Sequence, residues 1–297
     1  MIKLDFPVTY SHEHTTIDLS GPKKDPDCRV DDFGRVVEEY RGLRERGVRT
    51  VVDVTNRGMG RNVPYVEKVA AASGLKILSS TGYYKEPFLP EEVYRLEEKE
   101  LAKILKDELL TGIGGTSVKA SVIGEIGTGK GAIQPVEEKV FRAASRAHAE
   151  TGAPIVTHTT LGSLGLEQIS IFKSMGVDLS RVVLSHIDLS GDLDYMKRLL
   201  DAGVNIAFDT IGKIKYQPDT LRAQWLSRLC REGYSSQIVM SMDITRKSHY
   251  KANGGPGYAY LLDTFVPALQ KRGVDGRCLK AMLCDNPARI YGAERSF

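Results

Sequence analysis

The chain of 297 residues holds only six histidines, and four of them close short apolar runs. His12 and His14 occur in His12-Glu13-His14, His158 ends Val156-Thr157-His158, and His186 ends Leu184-Ser185-His186. Two acids take the same position elsewhere: Glu125 in Val122-Ile123-Gly124-Glu125 and Asp243 in Met240-Ser241-Met242-Asp243. An acid or imidazole at the end of an otherwise apolar strand is costly to bury unless it is paired or coordinated. One such histidine is an ordinary polar partner of the backbone. Six groups at equivalent places are hard to explain as packing.

The chemistry these types support is metal binding. His12 and His14 stand two apart on a strand, so both side chains leave the same face. They can hold one cation with Asp243, while His158 and His186 hold a second. Glu125 has two oxygens with which to bridge the pair. Ligands of N and O type without thiolate suit zinc first, then manganese, cobalt or iron, and argue against calcium. A paired site acidifies a shared water, giving a nucleophile at neutral pH, and Asp243 is placed to take its proton. No serine or cysteine nucleophile is signalled. His148 reads as a packing residue within a helix, and His249 as part of a solvated loop.

The elements that must position these groups alternate regularly. Strand-like runs fall at Val8–His14, Arg49–Val54, Lys76–Ser80, Val118–Glu125, Pro154–His158, Val182–His186, Val204–Asp209 and Ile238–Asp243. Several are nearly continuous apolar runs, as parallel strands buried on both faces should be. Amphipathic stretches lie between them. Pro90 and Pro135 each begin one at the first helical position, with acids in the first turn, and Ser190 caps another that runs to about Asp201. In the stretch after Pro135, Val136, Val140, Ala143, Ala144 and Ala147 fall on one helical face. Glycines at 47, 74, 152, 176 and 203 precede strands, where helices must stop. Eight such units in a chain of this length predict a single (β/α)8 TIM barrel over residues 1–297, whose strand ends converge on one catalytic face. The alternative, an open doubly wound sheet, lacks its glycine fingerprint.

Charge is nearly balanced, 41 basic against 38 acidic side chains, which gives no reason to expect nucleic-acid or membrane partners. No signal-peptide or membrane-spanning segment is read, so a cytoplasmic location with four reduced cysteines is expected. Loops of the catalytic face carry Arg57, Arg61, Lys85, Lys130, Lys213, Lys215, Arg246 and Lys247, together with Tyr83 and Tyr84. They favour a small anionic substrate, with Tyr84, Arg246 and Lys247 as its contacts.

The ordered set Ser11-His12-Glu13-His14, Thr81-Gly82-Tyr83-Tyr84, Glu125-Ile126-Gly127-Thr128, Thr157-His158-Thr159, Ser185-His186, Phe208-Asp209-Thr210-Ile211-Gly212, Ser241-Met242-Asp243-Ile244-Thr245-Arg246 and Asn286-Pro287 resembles the phosphotriesterase family of the amidohydrolase superfamily, in its homology-protein branch. The resemblance spans the chain. It implies a distorted barrel with a binuclear centre, one metal on His12, His14 and Asp243 and the other on His158 and His186. The best-known members bridge the metals with a carboxylated lysine where this chain has Glu125, which weakens any expectation of organophosphate hydrolysis. The resemblance favours ester or lactone hydrolysis, and the loop cations would suit a phosphorylated sugar lactone; phosphoester hydrolysis is the alternative, and a non-catalytic metal- or ligand-binding barrel is the reading of a different class. The resemblance also suggests a homodimer.

Overall fold

The computed structural model describes residues 4–295. Its parallel strands follow the predicted order: β1 (Val8–Glu13), β2 (Val48–Asp53), β3 (Lys76–Leu78, resumed at Ser80–Thr81), β4 (Val122–Thr128), β5 (Ile155–Thr159), β6 (Val182–Ser185), β7 (Asn205–Phe208) and β8 (Ile238–Met240). The first half of β3 pairs with β2 and its second half with β4, so the ladder breaks within that strand. No ladder joins β8 to β1 among the described residues. That seam is closed by a side chain, because Glu13 on β1 accepts hydrogen bonds from Ser241, Met242, Asp243 and Ile244 just beyond β8. The architecture is a (β/α)8 barrel, distorted at these two places.

Helices α1 (Phe33–Glu45), α2 (Val63–Ser73), α3 (Glu98–Leu110), α4 (Pro135–Thr151), α5 (Gly165–Ser174), α6 (Leu193–Asp201) and α7 (Asp219–Arg231) surround it, and helical turns over 261–291 complete the ring. Helix α4 illustrates the local logic. Pro135 is its first residue, Gln134 and Glu137 form a reciprocal capping box, and Gly152 ends it at φ 68°. Val140, Ala143, Ala144 and Ala147 are buried along one face, as the period requires. Elsewhere the caps differ from expectation. Asp192, not Ser190, caps α6, because its carboxylate accepts the Tyr195 N–H. Pro90 is the cap of the short helix Glu91–Arg95 and not its first residue.

Two apolar layers hold the barrel. The larger lies between strands and helices. The smaller takes Val52, Leu78, Val122, Val156, Val183, Ala207 and Val239 from seven strands, and Ile290 and Tyr291 close it. Val156 lies two residues before His158 on the same strand face, so this layer is the floor beneath the polar groups. The segment 17–30, which the alternation does not reveal, forms a small antiparallel pair (Ile17–Asp18 with Arg29–Val30) beside the mouth. No helix among the described residues is long and apolar enough to cross a membrane.

Candidate metal centre

All six predicted groups meet at one end of the barrel. His12 lies in β1 and His14 just beyond its last residue. His158 comes from β5, and His186 and Asp243 from the turns that follow β6 and β8. Glu125 departs from expectation: it lies within β4 and not at its end, because the strand starts later, at Val122, and keeps pairing with β5 as far as Thr128. Residues 118–121 dock elsewhere, with Ala120 donating to the Glu108 carbonyl and Ser121 to that of Ser79. At Glu125 the β4–β5 register shifts, and Val54 O and Asn56 Nδ2 grip its backbone at 3.0 and 2.7 Å. Gly124 permits this close approach, since a Cβ there would lie 2.2 Å from the Val156 carbonyl oxygen.

The donor atoms fall into three sets, of which two share the Glu125 carboxylate and the third is His12, His186 and Asp209. His12, His14 and Glu125 place theirs within 4.8 Å of one another, and so do Glu125, His158 and His186. Glu125 Oε1 lies 3.4 Å from His14 Nε2, while Oε2 lies 3.6, 3.2 and 3.6 Å from His12 Nε2, His158 Nδ1 and His186 Nε2. Asp243 Oδ1 completes the first set, 3.2 Å from His14 Nε2 and 3.6 Å from His12 Nε2. The Nε2 atoms of His12 and His14 are buried without a hydrogen-bond partner. Buried polar atoms are rarely left so, and two that face carboxylates across an open position fit cations between them.

The electrostatics agree. Burial pushes the Glu125 carboxyl up, yet the four imidazoles around it hold it well below the usual range. Asp243 behaves likewise, burial being outweighed by Lys213, His14, His186 and His12. Burial lowers His14, but Asp243 and Glu125 carry it to about 10. His158, where burial dominates, falls to about 4. Both carboxylates are therefore ionised and ready to ligate, and the imidazoles are poised unequally.

Several supporting groups went unread in the sequence. His12 Nδ1 pairs with Ser185 Oγ at 2.9 Å, His14 Nδ1 with Thr55 Oγ1 at 2.8 Å, and His186 Nδ1 with Asp209 Oδ1 at 2.9 Å. Such partners fix which ring nitrogen is free for a metal. His186 and Asp243 adopt left-handed backbone, φ 61° and 50°. A carboxylate secures each: Asp209 accepts the His186 N–H and Glu13 the Asp243 N–H. Glu13 was visible as the acid between His12 and His14, and Asp209 as the acid that ends an apolar run without a histidine. The hydroxyls carried no comparable signal.

A cavity of about 160 Å³ opens over the centre, lined by Tyr84, Lys23, Leu161, Lys213 and Tyr216 beside the metal-site groups. The Tyr84 hydroxyl lies 3.2 Å from His158 Nδ1. A larger cavity of about 760 Å³ adjoins it, lined by Lys213, Lys215, Arg246, His249 and Lys251 among others. Lys213 and Tyr216 line both. Arg246 reaches the larger cavity, but Asp25 engages its guanidinium at 2.5 Å. Lys247 lines neither cavity and lies 3.8 Å from Asp31, so its expected substrate contact is corrected. Arg57 and Arg61 are likewise tied to Glu92 and Glu108. Lys213, whose ammonium bonds Asp243, lines the cavity over the centre together with Lys23. His249 is half-buried in the cavity wall and not in a solvated loop, while His148 packs as expected, bonding the Ala153 carbonyl at 2.8 Å.

Comparison with known proteins matches residues 3–291 to the profile described as the Phosphotriesterase family. The phosphotriesterase homology protein of Escherichia coli is 46% identical over 95% of this chain and 97% of its own length. Its crystal structure, complexed with phosphate in the active site, superposes with a TM-score of 0.94, covering 97% of this chain and 99% of that one. A lactonase from Listeria monocytogenes is 32% identical, with a TM-score of 0.91 over 97% of this chain and 95% of its own. An aryldialkylphosphatase from Saccharolobus solfataricus is 30% identical over 97% of this chain and 95% of its length.

Proposed function

Since the chain belongs to the phosphotriesterase family and is a metal-dependent hydrolase acting on ester bonds, we propose that it opens a lactone or carboxylic ester bearing an anionic group, with two divalent cations, zinc first, as its cofactor. The observation that carries this reading is the pair of donor sets sharing Glu125, with the Nε2 atoms of His12 and His14 left free between carboxylates. In it, His12, His14 and Asp243 hold one cation, His158 and His186 the other, and Glu125 bridges. Cations bound there supply Lewis acidity toward the acyl oxygen and acidify a water to neutral pH.

The chain's own residues do the rest. Asp243 receives the proton of the attacking water at its carboxylate and returns it to the alkoxide when the acyl C–O bond breaks. Lys213 keeps that carboxylate ionised until then. Tyr84 Oη, beside His158, orients the ring and faces the substrate. The small cavity suits a compact planar ring better than the three substituents of a phosphotriester. The larger cavity, with Lys213, Lys215 and Lys251 on its walls, suits a negative tail such as a phosphate.

Phosphoester hydrolysis is the second reading, favoured by the phosphate in the active site of the Escherichia coli relative. Protein loaded with zinc or manganese, assayed against neutral lactones, phosphorylated lactones and phosphotriesters, separates the two. Faster turnover of the phosphorylated lactones is expected. Phosphoester turnover without lactone turnover would overturn the first reading.

A further inference from the structure

We infer that Asp209 is a positioning carboxylate shared by the two halves of the metal centre, setting the metal affinity of both at once; this rests on the two-cation reading above. Asp209 stands at the end of β7, and the ladder that pairs Ile206 with Leu184 carries it alongside His186. It is fully buried. Its Oδ1 accepts both the backbone N–H and Nδ1 of His186, each at 2.9 Å. Its Oδ2 lies 3.3 Å from His12 Nδ1 and has no hydrogen-bond partner of its own. His12 and His186 fall in the two different sets that share Glu125, and with Asp209 they also form a third set of their own; their rings meet edge to face with centroids 5.0 Å apart.

The distribution of partners makes Asp209 distinctive. The outer nitrogen of His14 has a threonine hydroxyl, and His158 has the hydroxyls of Tyr84 and Thr160. His12 Nδ1 has the Ser185 hydroxyl at 2.9 Å and Asp209 at 3.3 Å, and His186 Nδ1 has Asp209 at 2.9 Å, whereas the carboxylates that His14 and His158 face, Glu125 and Asp243, are those of the centre itself. A carboxylate behind an imidazole keeps its near nitrogen protonated, frees the far nitrogen for a metal and raises its basicity. An anion with one oxygen unpaired in a dry interior is costly unless cations lie close by. Two cations, one beyond each ring, satisfy that charge from both sides. Glu125 joins the halves at the substrate side, and Asp209 joins them from behind the rings.

The test is metal titration of metal-free wild type, Asp209→Asn and Thr55→Val, with zinc or manganese alone as the probe, beside far-UV circular dichroism and unfolding of each metal-free protein. Asp209→Asn should keep the fold and weaken both sites, each by about 10–100-fold. Thr55→Val should weaken only the site containing His14. Unchanged affinity in Asp209→Asn, or loss confined to one site, would overturn the inference. A wild type that binds fewer than two ions would overturn the metal-centre reading itself. Should Asp209→Asn fail to fold, nitrogen NMR of loaded wild type decides: Nδ1 of both His12 and His186 must carry a proton, and a metallated or bare Nδ1 on either refutes the role.

Discussion

Replacing Lys213 by Met tests whether Asp243 faces a cation in the working protein. The Lys213 and Asp243 side chains are 8% and 9% exposed, so this is a buried pair and not a surface one. Removing one partner of a buried pair costs ~3–5 kcal/mol, because the other charge is left uncompensated. Here His14 remains 3.2 Å from Asp243 Oδ1, which places the cost in the metal-free protein near the lower end, about 3 kcal/mol. With a cation on Asp243 the carboxylate is no longer stranded, and about 1 kcal/mol of lost packing and hydrogen bonding remains. The difference of ~2 kcal/mol must appear as tighter metal binding, roughly 30-fold. Urea unfolding of wild type and Lys213→Met, with and without zinc, reads the first pair of numbers, and competition with a chelator reads the last. Equal destabilisation in both conditions, with unchanged metal affinity, would refute the placement of Asp243 in the centre.

Three other outcomes follow from the same geometry. Glu13→Gln keeps the volume but turns one acceptor toward the Ile244 N–H into a donor, so unfolding should show a loss of about 1–3 kcal/mol and activity should fall through displacement of Asp243; wild-type stability in this variant contradicts the seam. Arg222, fully buried and bonded to Asp188, Thr210 and Asp219, ties together the turns after β6 and β7; Arg222→Met should cost ~3–5 kcal/mol in denaturant unfolding, and a loss below ~1 kcal/mol contradicts this. The third concerns pH. Burial lowers His14, but Asp243 and Glu125 raise it to about 10 in the metal-free protein. A raised histidine contributes stability that is complete below its unfolded value and is lost as pH climbs toward the folded one. Metal-free protein should therefore lose stability between about pH 6.5 and 10, and metal uptake at pH 8 should release protons, measurable by calorimetry in buffers of different ionisation enthalpy. A flat denaturation midpoint and no proton release would contradict it.

Much of this was legible because period and position are encoded locally. Apolar β-branched runs ending in His or an acid marked the strands and their catalytic ends, and the spacing of His12 and His14 pointed both rings at one site. What escaped notice depends on tertiary contacts. Residues 118–121 resemble strand but dock against α3 and the break in β3, while pairing with β5 carries β4 on to Thr128 and leaves Glu125 in the interior of its strand. Ser190 and Asp192 are both good caps, and only the built turn selects Asp192. Arg246 and Lys247 follow Asp243 closely in sequence, yet Asp25 and Asp31, from the segment 17–31 that alternation did not reveal, claim them. Lys213, more distant in sequence, reaches Asp243 instead. Glu13 and Asp209 were legible in type but not in role, since their roles arise from turns brought to them by the closed barrel.

The central claim is a binuclear centre built around Glu125. Anomalous diffraction from crystals of the zinc- or manganese-loaded protein tests it most directly. The account predicts two peaks flanking the Glu125 carboxylate, one against His12, His14 and Asp243 and one against His158 and His186. A single peak, or peaks away from Glu125, would contradict it.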